Sequence, residues 1–343
     1  MTGDWLLVET LGEEPVVVAQ GRQMKNFVPI GSFLRRNPNL AAIQTAIAET
    51  VESGSALASI TPKTKRVIRT EPVAMPDGRI HGVHVWCGPP DADPAERPAP
   101  GAYKADLNIA EASVTEQFLS NVGKDPAVES LTGRSLAEDI PDRNLNEGEA
   151  KALSWTIDLV AGRTFAANWG WIDQSGTFRR VGFCFRTVLE TVESGEEHLM
   201  ARSMNIVESV GAAPAPSDHL AHRILEGLAQ PGVYRGIVDL ENWTLLKWLD
   251  GPCPYYNWRG RVQMHPDDYE HYKARVIAEL ETGSASAVLR LGGNEGEWVP
   301  LHITLSRMEL DNGVYGGLML LRLPSSDELY DAGLDPAEQA GSN

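Results

Sequence analysis

The stretch HPDDYEHYKARVIAEL, from His265 to Leu280, decides how this chain is read. Two histidines, two aspartates and a glutamate lie within its first seven residues, so it either holds a metal ion or begins a helix. Helical histidines that bind one metal ion are usually four positions apart and share a face. His265 and His271 are six positions apart, about 240° around a helix, and therefore face different directions. The spacing argues against a metal site.

The same charges fit the start of a helix. Pro266 suits the first helical position, where its missing N–H would have no partner, and Asp267 and Asp268 complement the positive end of the helix dipole. His265 precedes a proline and is expected just outside the helix, in an extended conformation. His271 lies off the apolar stripe and is expected to face solvent. The predicted buried face consists of Tyr269, Tyr272, Val276 and Leu280.

Strand patterns surround this helix on both sides. Two apolar runs, YRGIVDL (234–240) and TLLKWL (244–249), precede it. Three more follow it: ASAVLRL (285–291), EWVPLHITLSRMEL (297–310) and VYGGLMLLRL (314–323), the last two joined by the turn sequence Asp311-Asn312-Gly313. This order predicts an antiparallel sheet with a helix packed on one face.

The same order of strands and helix occurs twice earlier in the chain. In the first block the pattern predicts a helix that begins at Asn37-Pro38, with Asn37 as its N-cap, and in the middle block a helix that begins at Asn146 and Glu149. The predicted apolar stripes are Leu40, Ile43, Ile47 and Val51 in the first helix, and Ala150, Leu153, Ile157 and Val160 in the second. The sequence therefore predicts an α+β fold of three consecutive modules, each an antiparallel sheet with helices on one face.

Changes in composition mark the divisions between these blocks. Two stretches rich in Pro and Ala, 88–106 and 209–219, have no periodicity and are typical of linkers. The predicted divisions are a first module at 1–88, a Pro-rich linker at 89–105, a middle module at 106–208, a linker and connecting helix at 209–230, a third module at 231–324 and a disordered tail at 325–343.

Charge and composition exclude several classes of function. The 343 residues carry a net charge of −17, with the acids scattered along the chain, so nucleic-acid binding is not expected. No apolar run reaches membrane-spanning length and the start does not resemble a signal peptide, so we expect a cytoplasmic protein without membrane contact. Cys87, Cys184 and Cys253 lie far apart and predict neither a zinc site nor a disulfide framework.

The third block resembles a PAS domain. The resemblance covers 231–323 and rests on HPDD at a helix start, ELETG at 279–283, the long strand through EWVPLHITL, the DNG turn and the final apolar strand. The middle block, 106–208, resembles a divergent PAS or GAF domain, and the first, 5–88, resembles a short GAF or PAS domain. The whole layout is similar to a family of actinobacterial GAF-PAS-PAS proteins of unknown function that have no effector domain.

The resemblance implies a pocket for a small molecule, or a surface for a partner, between a sheet and its helical layer. No haem, flavin or cyclic-nucleotide pattern fits: His271 is off the helix stripe, and Cys253 has the wrong context for a flavin adduct. We therefore predict no cofactor and no metal. Aromatic residues crowd the third block and either line a pocket or interface or pack its core; the site candidates among them are Trp243, Trp248, Tyr256 and Trp258.

No catalytic motif appears in the chain, so no catalytic residue is predicted. We expect a non-enzymatic signalling protein whose modules bind small molecules or protein partners and act as a scaffold, with a homodimer left open. Two alternatives stand beside it. One is an enzyme with an active site at a module interface, and the other is a structural adaptor without a ligand. Residues available to such an enzyme are Asp173, His265, Glu295 and His302.

Overall fold

The structure is a computed structural model that describes residues 3–141, 146, 148–173, 175–211, 220–259 and 264–334. Three antiparallel sheets and seven helices form these parts of the chain, which is the predicted α+β arrangement. The end of the predicted second linker, at 212–219, and the last part of the predicted tail, at 335–343, lie outside the described residues. No helix among the described residues is both long and apolar enough to cross a bilayer.

The first sheet has six strands in the order β3-β2-β1-β6-β5-β4. Its elements are β1 (Leu6–Glu9), β2 (Val16–Gln20), β3 (Gln23–Pro29), α1 (Ile30–Phe33), α2 (Leu40–Ser53), β4 (Leu57–Ile60), β5 (Val67–Ala74) and β6 (Ile80–Gly88). The predicted stripe of α2 is confirmed, since Ile43 and Ile47 are buried against the sheet with Leu40 and Val51 beside them. The short strand β3 and the short helix α1 are not in the sequence prediction.

The start of α2 lies two residues later than predicted. Asn39, and not Asn37, is the N-cap, and the helix begins at Leu40. The Asn37 side chain accepts a hydrogen bond from the backbone N–H of Asn39 at 2.9 Å. This bond holds Asn37 and Pro38 in a turn before the helix, because an Asn side chain can replace a backbone partner in this way.

The second sheet has the strand order β10-β11-β12-β7-β8-β9. Its elements are β7 (Gly101–Asp106), β8 (Glu111–Val114), α3 (Glu116–Val122), β9 (Arg134–Ser135), β10 (Thr164–Ile172), β11 (Phe178–Thr191) and β12 (Glu197–Gly211). Strand β7 begins at Gly101, inside the predicted linker, because residues 101–106 pair with β12. Gly101 has no room for a side chain, since a Cβ atom there would lie 2.3 Å from the backbone of Phe118.

The third sheet has five strands in the order β14-β13-β17-β16-β15. Its elements are α4 (Glu149–Ile157), α5 (Leu220–Gly227), β13 (Tyr234–Val238), β14 (Leu245–Trp248), α6 (Pro266–Thr282), β15 (Ser284–Gly292), β16 (Trp298–Asp311), β17 (Val314–Arg322) and α7 (Ser326–Asp331). The prediction of a disordered tail from 325 is wrong for α7. Ser325 and Glu328 form a capping box at its start, and Glu328 also pairs with Arg322.

The chain divides into two compact units that do not follow the three sequence blocks. One unit contains Met1–Gly133 and Leu159–Pro216, and the other contains Arg134–Asp158 and Ser217–Asn343. In the first unit, one face of the first sheet packs against α2, and its other face packs against the second sheet, with Leu7 and Val18 beside Met204 and Ile206. This unit therefore has two sheets packed face to face.

The second unit includes residues 134–158, a segment taken from within the predicted middle module. We call it the strap. The 3-10 turn Leu136–Glu138 packs on β14, and α4 packs on β16 and β17. The predicted stripe of α4 is right only in part: Leu153 is buried, but Ala150 and Val160 are exposed, and Glu149, Ala152 and Ser154 complete the buried face. Glu149 is buried because its carboxylate pairs with the ammonium group of Lys247 at 2.5 Å.

Candidate functional site

The aromatic site candidates of the third block lie in the core of the second unit. Trp248, Tyr256 and Trp258 are buried, and Trp243 packs against them from a partly buried position. The ring centroid of Trp248 lies 5.9 Å from that of Trp258 and 6.4 Å from that of Tyr256, both edge to face. These rings belong to the same buried cluster as Tyr272 of α6. Their role in binding stays a prediction.

The three cysteines are buried and free. Burial raises the pKa of the Cys253 thiol to about 11, and it raises the pKa of Cys87 and Cys184 as well. Each thiol is therefore protonated at neutral pH, and a thiol is a much weaker nucleophile than a thiolate. The geometry supports a packing role for Cys184 and Cys253.

The residues considered for an enzyme have local structural partners. Asp173 lies in the first unit, where its carboxylate accepts hydrogen bonds from Ser175, Thr177 and Arg179. The Ser175 hydroxyl, followed by the other donors, lowers the pKa of Asp173 to about 2. An ionised carboxylate that accepts so many hydrogen bonds stabilises a turn and is poorly suited to proton transfer at neutral pH.

The other three residues of that set lie in the second unit. His265 lies just before α6, as predicted, and its ring also caps the helix by accepting a hydrogen bond from Asp267 N at 3.3 Å. Glu295 lies in the β15–β16 hairpin, where its backbone N–H donates to Glu297 at 2.8 Å. His302 lies 3.2 Å from the Ser286 hydroxyl. The side chain of His271 is outside the described part of the structure, so its predicted exposure is not tested.

A cavity of about 520 Å³ lies beside β15 and is lined by His302 and four acids. Three of these acids have arginine partners: Asp267 and Asp268 pair with Arg290, and Glu328 pairs with Arg322. The Arg322 guanidinium lowers the pKa of Glu328 to about 2. Ionised carboxylates that pair with arginines hold elements together, so the paired acids of this cavity are poorly suited to proton transfer at neutral pH.

A second cavity, of about 550 Å³, lies in the first unit between the first sheet and the chain that enters α2. We call it the N-terminal cavity. Twelve residues line it: Asp4, Leu6, Gln20, Phe33, Leu34, Arg36, Asn37, Pro38, Asn39, Thr64, Arg66 and Cys87. They come from the segment before β1, from β1, β2, β6 and α1, and from the turn at 34–39 and the loop at 61–66. Its volume lies within the range of small-molecule sites in proteins.

The floor of this cavity is apolar. Leu6, Leu34 and Cys87 are buried members of the core under α2, and Phe33 packs beside them. Leu6, Leu34 and Cys87 are at most 8% exposed, so Phe33 has the most surface left for contact with the apolar body of a ligand. The floor belongs to regular elements and is fixed by the core around it.

Hydrogen bonds close the loop at 61–66, which forms part of the rim. The Thr64 hydroxyl donates to Asn39 Oδ1 at 2.5 Å and lies 2.6 Å from the Thr61 hydroxyl. Thr61 in turn accepts from the backbone N–H of Arg66 at 2.9 Å. These bonds tie the loop to the start of α2, so the two sides of the cavity mouth are held together.

Arg36 and Arg66 bring positive charge to the rim. Neither has a carboxylate partner among the residues that the structure describes. The positive charge of Arg66 acts on Cys87, where it opposes the effect of burial on the thiol pKa. The acid that lines the cavity, Asp4, accepts a hydrogen bond from Gln20 Nε2 at 3.4 Å. The cavity therefore has an apolar floor and a cationic rim.

The sequence prediction missed these residues. The two basic runs that supply them, Arg35-Arg36 and KTKR at 63–66, are visible in a chain of net charge −17. Arg36 and the run at 63–66 are 27 to 30 positions apart in the sequence, and no local periodicity predicts that they meet in the fold. Local excess of positive charge in an acidic chain is the signal that could have found them.

Comparisons with known proteins give a family and no function. The chain matches the N-terminal, middle and C-terminal domains of the Rv3651-like family at residues 4–96, 99–208 and 218–332. It is 51% identical to an uncharacterised Mycobacterium tuberculosis protein of known crystal structure, with a TM-score of 0.89, over 97% of this chain and 100% of that chain. No functionally curated protein matches it.

Two weaker structural likenesses involve sensor proteins. A sensory box histidine kinase/response regulator from Burkholderia thailandensis is 15% identical, with a TM-score of 0.23, over 31% of this chain and 74% of that chain. An RNA-binding light-oxygen-voltage receptor is 11% identical, with a TM-score of 0.24, over 71% of this chain and 100% of that chain. Both TM-scores are too low for either likeness to indicate a function. The domain matches and the mycobacterial relative together establish that the chain belongs to the Rv3651-like family.

Proposed function

We propose that this protein is a non-enzymatic sensor that binds a small molecule in the N-terminal cavity and passes the binding event to a protein partner as a scaffold. The observation that carries the proposal is the N-terminal cavity, which joins an apolar floor to convergent polar groups. Small-molecule sites combine these two features, because apolar surface supplies affinity and a few polar groups fix orientation. A sensor needs such a site, whereas a purely structural adaptor does not.

The third module has a different role in this proposal. Its sheet has the strand order β14-β13-β17-β16-β15, and α6 lies between β14 and β15. This arrangement supports the assignment of a PAS domain that the motifs suggest. Trp248, Tyr256 and Trp258 belong to the buried cluster of this module. Because these rings are committed to the core, we assign the third module to contact with a partner and not to the ligand.

In this proposal the signal changes the packing of the strap within the second unit. The strap follows α3 and precedes β10 in the chain, and its 3-10 turn and α4 pack on β14, β16 and β17. A shift in the packing of the strap would change the surface of the third sheet. This would be a population shift between two arrangements, which a ligand drives only if it binds one of them better.

The proposal is tested with the full chain and the low-mass fraction of a mycobacterial extract. Native mass spectrometry is expected to find a retained small molecule, and hydrogen exchange is expected to slow at 33–39 and 61–66. The variant Gln20→Trp places an indole in the cavity and should abolish retention. The control Val128→Trp adds the same group at a position that is 78% exposed and outside the cavity lining, and should retain the ligand.

Two results would overturn the proposal. One is the absence of any retained molecule and of any change in exchange with every fraction. The other is a molecule that stays bound to the Gln20→Trp variant, because the ligand would then lie outside the N-terminal cavity.

A further inference from the structure

The charge of the N-terminal cavity indicates the class of its ligand. Arg36 and Arg66 line a cavity in a chain of net charge −17, yet neither is paired with a described carboxylate. Acids are abundant in this sequence and would be the ordinary partners of exposed arginines. Guanidinium groups form their strongest hydrogen bonds with oxyanions such as carboxylates and phosphates. Two arginines at one cavity therefore favour an anionic ligand.

The start of α2 adds to this preference. Pro38 and Asn39 line the cavity directly before the helix, which runs for fourteen residues from Leu40. Asn39 makes no side-chain hydrogen bond to the helix, because its Oδ1 accepts from the Thr64 hydroxyl. The first turn of α2 thus has no side-chain cap, and its positive end lies on the same cavity as the two arginines.

The apolar floor limits which anions fit. A bare inorganic anion would leave Leu6, Phe33 and Leu34 without a ligand contact. A molecule with an apolar body and one oxyanion group would use both parts of the cavity. Asp4 also lines the cavity, and its charge disfavours a second anionic group near Gln20.

We propose that the N-terminal cavity binds a small molecule that has an apolar body and one oxyanion group, with Arg36 and Arg66 holding the oxyanion and Leu6, Phe33 and Leu34 contacting the apolar body. This inference rests on the proposed sensor function and names the ligand class. A carboxylate and a phosphate monoester share the required chemistry, and the experiment separates them.

Dissociation constants are measured by ligand-observed NMR with the full chain and four probes: benzoate, phenyl phosphate, inorganic phosphate and benzamide. Benzamide has the shape of benzoate without its charge and is the matched neutral control. We expect benzoate or phenyl phosphate to bind about tenfold more tightly than benzamide, since a hydrogen bond to a charged group contributes that much. The tighter of the two anions identifies the preferred group, and weaker binding of inorganic phosphate than of phenyl phosphate would show that the floor contributes.

Variants locate the anion. Arg36→Gln and Arg66→Gln should each weaken binding of the preferred anion about tenfold and leave benzamide unchanged. The controls Arg35→Gln and Lys63→Gln remove neighbouring exposed charges that do not line the cavity and should leave both affinities unchanged. Unfolding midpoints of all four variants verify that they are folded.

The possible failures are distinguishable. If benzamide binds as tightly as both anions, or if the anions bind the Arg36→Gln and Arg66→Gln variants as tightly as the wild type, the anion inference is wrong while the sensor proposal stands. If no probe binds but the extract still supplies a retained molecule, the anion inference is again wrong and the sensor proposal again stands. If neither the probes nor the extract give binding, both proposals are wrong.

Discussion

The ammonium group of Lys247 is only 1% exposed, which is unusual for a lysine. It pairs with the Glu149 carboxylate at 2.5 Å and donates to the backbone oxygen of Pro141. Glu149 in turn accepts from the backbone N–H of Asn146 at 2.8 Å. Both charges are therefore satisfied by partners, and each depends on the other, because an unpaired buried charge is strongly destabilising.

The variant Lys247→Met should destabilise the second unit by about 3–5 kcal/mol, because it leaves the Glu149 carboxylate buried without its counter-charge. Hydrogen exchange of the β14 and β17 amides measures the loss. The double variant Lys247→Met/Glu149→Gln should lose less than the sum of the single variants. The control Lys104→Met removes a half-exposed partner of Asp77 and should cost less than about 1 kcal/mol. Equal losses in the two single-lysine variants would contradict the buried pair.

His81 is a second buried polar residue, in the first unit. Its Nδ1–H donates to the backbone oxygen of Ser203 at 3.1 Å, and its Nε2 lies 2.9 Å from the guanidinium of Arg202. An arginine only donates, so this Nε2 accepts and the ring is neutral. Burial lowers the pKa of His81 to about 4, with the Arg202 charge acting in the same direction. Around this ring, Asp77 and Glu190 pair with Arg202.

Because the His81 imidazole is neutral in the folded protein, we predict that the first unit loses stability as the pH falls. In the unfolded chain the ring takes up a proton near its ordinary pKa of 6.5, whereas in the folded protein it does so only near 4. The unfolded state therefore binds more protons between these values, and stability is lost through that window. The loss due to His81 from pH 7 to pH 5 should be about 2 kcal/mol.

Urea denaturation of the wild type and of His81→Gln at pH 7 and pH 5 measures this effect. The fall in the free energy of unfolding should be about 2 kcal/mol smaller in the variant. His84 is buried too, and burial lowers its pKa to about 3, so the variant should keep some dependence on pH in the same direction. The same fall in both proteins would show that His81 does not have the lowered pKa.

Among the elements, those whose signals are local were predictable from the sequence. The start of α6 is an example: Pro266 opens the helix, His265 lies just before it, and Tyr272 and Val276 are buried. Tyr269 was predicted on the buried face but is 39% exposed. The preceding residue, Asp268, faces β15 and bonds to Arg290, which places Tyr269 about 100° around the helix from that contact.

Elements that depend on distant partners were not predictable. The buried face of α4 includes Glu149, because a lysine about one hundred positions later receives its charge. The 3-10 turn and α4 of the strap pack on the third sheet and not with their sequence neighbours, and no local periodicity predicts this packing. The candidate site has the same origin, since the turn at 34–39 and the loop at 61–66 meet only in the folded chain.

Helix α7 gives a prediction at this scale. The Ser325 hydroxyl accepts from the backbone N–H of Glu328 at 3.3 Å, and Ser325→Ala removes this cap at a cost of about 1 kcal/mol to the helix. Amides of Ser326–Asp331 should exchange several-fold faster in the variant, while those of β17 are unchanged. Ser325→Asp, which can also cap, should restore protection. Wild-type amides that exchange as fast as an unfolded peptide would instead favour the disordered tail predicted from composition.

At the scale of the whole molecule, sequence blocks and compact units differ. The middle family domain at 99–208 contains α3, which belongs to the first unit, and α4, which belongs to the second. Leu153 of α4 is 2% exposed and Phe118 of α3 is 6% exposed, so truncation of either should be costly. The two positions are a matched pair for testing the division.

Leu153→Ala should destabilise the second unit by about 2–5 kcal/mol, and Phe118→Ala should destabilise the first unit by about 3–5 kcal/mol. Hydrogen exchange separates the two outcomes: β16 and β17 should lose protection in the first variant, and β7 and β12 in the second. A Leu153→Ala variant that affects only β7 and β12 would show that the strap belongs with the rest of its sequence block.

The strap also has a consequence for how the protein can be cut into fragments for expression. A truncated gene that starts at residue 218, where the C-terminal family domain begins, encodes the third sheet without α4 and without Glu149. Such a fragment would present the uncovered surface of β16 and β17 to water and would bury the Lys247 charge with no counter-ion. We expect it to aggregate, and we expect co-expression with a peptide spanning 134–158 to recover it in the supernatant.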